Sequence, residues 1–185
     1  MRHRLIALAA GFLCAASAAF AAENLNNYDT RDSLFEDKSS EWKEIEAPLP
    51  PFPSDRNLVQ LQMGTRDTHR YFVDSTSVSL GTDGVMRYTF VVKTAGGATN
   101  VSFEGIRCDT RERKIYASGR SDGTWASARD PQWRWIERNV GVPVHYSLWR
   151  EYFCAERKRP TPPQRAVDAI RRGTPLPGGP TTIGG

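Results

Sequence analysis

The sequence predicts an α+β fold, a mostly antiparallel β-sheet of about five to seven strands with one C-terminal helix packed on a face and tied there by a disulfide. Three observations lead to it. Short runs rich in β-branched and aromatic residues recur between Asn57 and Ser118, separated by turn residues. One amphipathic stretch with helical spacing follows Pro143. Once the first 21 residues are set aside, two cysteines remain, Cys108 after the central strands and Cys154 at the end of that stretch.

The chain opens with Arg2 and Arg4, an Ala-rich apolar run from Leu5 to Phe20, and small residues up to Ala21, where a signal peptidase would cut. Residues 1–21 therefore read as a signal peptide. The run is short for a bilayer span and no later stretch is long and apolar enough for one. Leu13 and Phe12 stand where lipidation of Cys14 would want small residues, which argues against a lipoprotein. Loss of Arg2 and Arg4 lowers the net charge from +4 to +2, too little for a nucleic-acid binder. Residues 22–55 carry nine acids against Arg31, Lys38 and Lys43 and close on APLPPFPSD, an acidic arm with a Pro-rich hinge. Phe35 and Trp42 are its means of docking on the domain.

Residues 56–156 read as one sheet-plus-helix domain. Leu58 to Met63, Arg70 to Asp74 and Val78 to Leu80 form short strands. Val85 to Thr94 forms the central strand between the breakers Asp83-Gly84 and Gly96-Gly97. Val101 to Ile106 and Lys114 to Ser118 complete the centre, with Gly105 a bulge or a point of close backbone approach. Trp125 and the run Trp133 to Ile136 add further extended material. From Pro143 onward, helical spacing puts Val144, Leu148, Trp149, Tyr152 and Phe153 on one face. The same arithmetic puts Cys154 off that face, so the bridge attaches at the helix margin or the last turn unwinds. Residues 157–185 form a basic, Pro/Gly-rich tail, with a short helix over Arg165 to Arg172 and a disordered end.

In an exported chain two cysteines read as one bond, here Cys108 to Cys154. No nucleophile elbow or phosphate-cradling glycine spacing is present, so no catalytic residue, cofactor or metal site is assigned. His69 and His145 read as structural residues, although spacing leaves open a convergence of His69 with Asp67, Asp74 or Glu104. The positive feature is aromatic and cationic: Trp125, Trp133, Trp135 and Trp149 lie near Arg129, Arg134, Arg138 and Arg150. These residues form either a binding surface, with Trp125, Trp133, Arg134, Trp135 and Arg138 at its centre, or a sheet-helix core with an arginine rim. The basic tail, Arg157 to Arg172, is a second candidate surface for anionic lipid, lipopolysaccharide or the acidic arm.

The stretch DGVMRYTFVVKTAGGATNVSFEGIRC, with the later YASG, TWASARDPQW and LWREYFC, resembles the uncharacterised CNP-like domain (cryptic neisserial protein) of proteobacterial envelope proteins. The resemblance spans about Trp42 to Arg172 and implies an envelope location without implying an activity. The strand YFVD, the central pair ending at a cysteine and the late helix ending at another are more loosely similar to the surface-adhesin E family. That likeness implies an antiparallel sheet with a disulfide-tied helix and the pairing of Cys108 with Cys154; the adhesin ligand residues have no counterpart here. The expected function is a non-enzymatic exported module for a protein or glycan ligand, in the periplasm or at the outer surface, with dimerisation permitted by open sheet edges. The alternatives are a periplasmic enzyme using an unrecognised carboxylate/His site, and an envelope-assembly or inhibitor-like factor acting through the Ser118–Gly123 loop.

Overall fold

The computed structural model describes residues 42–63, 68–138, 143–156 and 159–177. The residues read as a signal peptide with its cleavage site at Ala21, together with Phe35, Asp67, Arg157, Lys158 and the last eight residues, lie outside the described residues.

The fold is an antiparallel sheet with helices on one face, as the sequence leads one to expect. Its strands are β1 (Leu58–Leu61), β2 (Arg70–Asp74), β3 (Ser79–Leu80), β4 (Val85–Lys93), β5 (Thr99–Arg107), β6 (Glu112–Gly119), β7 (Trp125–Ser127) and β8 (Arg134–Trp135). The order is β1-β2-β4-β5-β6-β7, with β3 beside β2 on β4 and β8 beside β7 on β6. The count of eight includes the two-residue pairings β3 and β8, which fall within the expected Val78 to Leu80 strand and the extended run Trp133 to Ile136. The turns are the expected ones, since Gly84 and Gly97 take φ of 76° and 86°, values that glycine adopts freely. Arg111, in the β5–β6 turn, takes φ of 56° without being glycine.

Gly105 answers both readings offered for it. The β5–β6 register slips beside it, between Phe103 and Glu104, which makes Tyr116 the extra residue of a bulge on β6. A Cβ at 105 would stand 2.7 Å from the Tyr116 hydroxyl and 2.9 Å from Val85, so only glycine lets the ring lie there.

Alternation along β4 sorts the sheet into two faces. Met86, Tyr88 and Phe90, with Ile106 and Val73, meet the helices in one buried cluster. The covering layer begins with α1 (Val144–Ser147), which widens into a π-helical stretch over Leu148–Phe153. That widening settles the position of Cys154. Its N–H donates to the Trp149 carbonyl five residues back at 2.9 Å, and its φ and ψ of −129° and 44° leave the helix. The last turn has unwound, and Cys154 is bonded to Cys108 across Cα atoms 5.4 Å apart.

The segment read as a tail belongs to this layer. Helix α2 (Pro163–Arg172) starts on a proline and ends at Gly173 with φ of 62°, and buries Ala166, Val167, Ala169 and Ile170 on one stripe. Leu176 is also buried, with its N–H bonded to the Glu151 carbonyl at 2.9 Å, so residues 174–177 are ordered where disorder is expected. The basic residues Arg165, Arg171 and Arg172 occupy the exposed side.

The opposite face is covered by residues 42–53, the extended end of the acidic arm. Trp42 donates its indole N–H to the Asp83 carbonyl at 2.8 Å, and the Ile45 carbonyl accepts from Arg87 Nη2 at 3.1 Å. Glu44 takes Lys114 Nζ at 2.7 Å, and Phe52 packs on Trp125 with centroids 5.3 Å apart. The arm does dock through Trp42, and the Pro-rich stretch is a strap across the sheet in place of a free hinge.

Candidate functional site

Of the predicted aromatic and arginine residues, the structure separates those that build the layers from those that face outward. Trp125 donates its indole N–H to the Pro50 carbonyl at 2.9 Å, and Trp133 donates to Glu44 at 3.2 Å while meeting Trp42 edge-on at 5.9 Å. Trp149 donates to the Cys108 carbonyl at 3.4 Å. These three rings are half-buried and bonded into the fold. Trp135 is 55% exposed. Arg134 is exposed beside it, with Asp130 at 4.0 Å, and Arg138 is exposed with its guanidinium 5.8 Å from the Tyr146 ring.

Trp135 has its place because of the turn before β6. The Arg111 carbonyl accepts the Ile136 N–H at 3.0 Å, which fixes β8, and the Arg111 guanidinium lies 4.7 Å from Trp135, 4.8 Å from Tyr146 and 5.1 Å from Trp149. This three-ring contact offsets the left-handed backbone of Arg111, since cation-π attraction of this kind is worth about 0.5–2 kcal/mol per contact. The sequence carries no local signal for it, because the rings are contributed by β8 and the helix.

Beside this patch lies a polar cluster that sequence reasoning missed. Glu104, on the helix face of β5, is 2% exposed. One oxygen accepts from Ser102 at 2.6 Å and Arg113 at 3.1 Å; the other accepts from Tyr88 at 2.9 Å and lies 2.9 Å from His145 Nε2. Burial would raise its pKa, but the charges and hydrogen bonds of His145, Arg113 and Ser102 outweigh burial and hold it down to about 2. Burial pushes the Tyr88 hydroxyl well up, and the adjacent Glu104 charge adds to it. The histidine that reaches Glu104 is thus His145; His69 stacks on Tyr71, with centroids 6.4 Å apart.

Two depressions open here. One of about 190 Å³ is bounded by Arg113, Trp135, Ile136, Pro143, His145 and Tyr146. The other, about 440 Å³, is lined by Arg113, Ile115, Arg129, Asp130, Gln132 and Arg134. Among the described residues no group of three His, Cys, Asp or Glu side chains converges to hold a metal ion, and no helix is long and apolar enough to cross a membrane. The Ser118–Gly123 loop is an exposed hairpin turn closed by its own bonds, with Arg120 N–H on the Thr124 carbonyl at 2.8 Å and Thr124 Oγ1 on Asp122 at 2.6 Å.

The class these features define is a two-layered, disulfide-clasped antiparallel sheet with an arginine- and tryptophan-bearing edge. The chain belongs to the CNP1-like family, whose model matches residues 37–171. That family is a domain family without an assigned function. No curated protein and no solved structure matches the chain.

Proposed function

We propose that the chain is an exported, non-enzymatic binding module of the bacterial cell envelope, and that it meets its ligand through the edge at Arg134, Trp135 and Arg138. The observation that carries this reading is the exposure of Trp135 beside two exposed arginines, while the indoles of Trp125, Trp133 and Trp149 are bonded within the fold. Exposed tryptophan beside arginine is the composition of binding hot spots. Export is supported by the composition of residues 1–21 and by the Cys108–Cys154 bond, which oxidising compartments maintain. The test is in-cell crosslinking of the tagged, oxidised protein, with the Arg134→Ala/Trp135→Ala double variant as control. A reproducible partner lost in that variant supports the module; partners unchanged by it, or none, count against it.

The second reading, a periplasmic enzyme, is favoured by one observation: His145 contacts a buried carboxylate and lines a depression. Against it, Glu104 already accepts from Ser102, Arg113 and Tyr88, with both oxygens engaged before His145 is counted, which suits a structural anchor better than a general base. Turnover abolished by His145→Asn in a folded protein would establish the enzyme and sink the module.

A further inference from the structure

The last edge of the sheet is split. β7 pairs with the end of β6, at Ala117 to Gly119, and β8 with its beginning, at Glu112 and Arg113. The chain between them leaves the sheet after Ala128, and Ala128, Arg129, Asp130 and Gln132 form the wall of the 440 Å³ depression, over Arg113 and Ile115 of β6.

Its charges are unevenly matched. Arg113 is fixed by Glu104, its Nη1 3.1 Å from the carboxylate, and its side chain stays 27% exposed toward both depressions. Arg134 has Asp130 at 4.0 Å, the outer limit of an ion pair, with both side chains mostly exposed. Arg129 is exposed and has no ion-pair partner among the described residues. Arg113, Arg129 and Arg134 against Glu104 and Asp130 therefore leave a guanidinium excess on this wall, which Glu137 reduces at the smaller depression. Guanidinium groups bind carboxylate and phosphate oxygens in a bidentate fork.

Besides the apolar Ile115 and Ile136, the remaining lining offers polar and planar groups. Gln132 and Asp130, bonded to each other at 2.9 Å, offer an amide and a carboxylate that suit hydroxyl groups. Across Arg113, the smaller depression presents the exposed Trp135 ring, and at about 190 Å³ it takes a single ring rather than a drug-sized molecule. We propose that the paired depressions bind an acidic saccharide: a sugar ring stacks on Trp135 and its carboxylate or phosphate engages Arg129 and Arg134 over Arg113. This rests on the binding-module reading and gives that module its ligand class.

The test is titration of the full, oxidised protein at low salt, read by calorimetry and tryptophan fluorescence. The probes are a glucuronate-containing disaccharide, glucose 6-phosphate, maltose and inorganic phosphate. Both acidic sugars should saturate the protein at least about tenfold more tightly than maltose or phosphate. Trp135→Ala and Arg129→Ala/Arg134→Ala should each weaken them by about tenfold or more. Arg129 and Arg134 are exposed, so their variant should keep the wild-type melting temperature. Trp135→Ala loses the Arg111 contact and should melt somewhat lower while staying cooperatively folded, and binding lost below that melting temperature then reports the site. Binding of maltose or phosphate equal to the acidic sugars, binding untouched by the arginine variant, or no saturation up to about 10 mM each overturns the proposal. If crosslinking still captures a protein through Trp135 while no sugar binds, the saccharide is wrong and the module stands. If neither occurs, both fall.

Discussion

Glu104 shows what one residue does to this fold. Its carboxylate is buried, yet it joins β4, β5, β6 and the first helical turn through Tyr88, Ser102, Arg113 and His145. Removing one member of a buried ionic cluster leaves the others uncompensated, at a cost of about 3–5 kcal/mol. Arg113 and His145 keep some contact with water, so Glu104→Gln should cost about 3 kcal/mol, the lower end, in urea unfolding at pH 7. The pH dependence follows from the depressed pKa. With the folded carboxyl near 2 and its ordinary value 4.5, the unfolded chain takes up the proton first as pH falls. This stabilisation is complete above about pH 5 and is lost between about 4.5 and about 2, so Glu104→Gln should flatten that part of the stability curve. A curve of unchanged shape would show that Glu104 is not held so low. The cluster was not legible in the sequence. Glu104 and His145 stand 41 residues apart, and only the strand register and helix docking together bring them within 2.9 Å. At Gly105 the sequence signal was sufficient to mark a close approach, and Gly105→Ala should destabilise by about 1–3 kcal/mol by forcing a methyl against Tyr116 and Val85. The same unfolding measurement checks it.

Among the elements, the strands were the most readable, because alternation and Gly-containing turns are local. All nine β4 residues fall within the run Val85 to Thr94, whose β-branched and aromatic content marks a strand without any partner being known. What stayed hidden was made by packing. In the sequence helix α2 stands out only as a short helix within a basic tail, because Arg165, Arg171 and Arg172 dominate its composition. Its Ala166, Ala169 and Ile170 stripe gains meaning only against β1 and the first helical layer. A uniform α-helical pitch misplaces Cys154, and that misplacement is the visible sign in the sequence that the pitch changes. The disulfide closes a 46-residue separation that holds β6, β7, β8 and the first helix between its ends. On the loop-entropy relation it is worth about 4 kcal/mol. The Cys108→Ser/Cys154→Ser variant should therefore unfold at lower urea by that order, and reductant should shift the wild type and leave the variant unmoved. An equal shift in both would mean that the bond does not form.

For the whole molecule, the decisive fact is that the sheet is apolar on both faces. The helix layer covers Met86, Tyr88, Phe90 and Ile106. On the other face Val85, Val91 and Phe103 are each 3% exposed or less, and what lies over that face is the strap of residues 42–53. The strap is held by unusual means for an extended segment: Asp83 and Arg87 form a buried ion pair at 2.6 Å, and both bond the Ile45 backbone. Burial would raise the Asp83 pKa, but its bonds to Arg87, Ile45 and Val85 outweigh burial and lower it. Trp42 adds the Arg107 guanidinium 3.7 Å from its ring centroid. If the strap is a structural layer, Trp42→Ala should cost about 1–2 kcal/mol, since the ring is partly exposed and one hydrogen bond and one cation-π contact are lost. Amide exchange at Ile45 should rise with it. A chain starting at Ser54 should do worse, uncovering the second face and leaving Asp83 and Arg87 without their backbone partners. It should bind a hydrophobic dye and lose cooperative unfolding, whereas the strap supplied as a separate peptide should restore both. A cooperative, dye-free truncated chain would make the strap a loose cover, and the fold would then begin at β1. Retained cooperativity would also detach the acidic arm from stability, leaving its sequence to be explained by a partner alone.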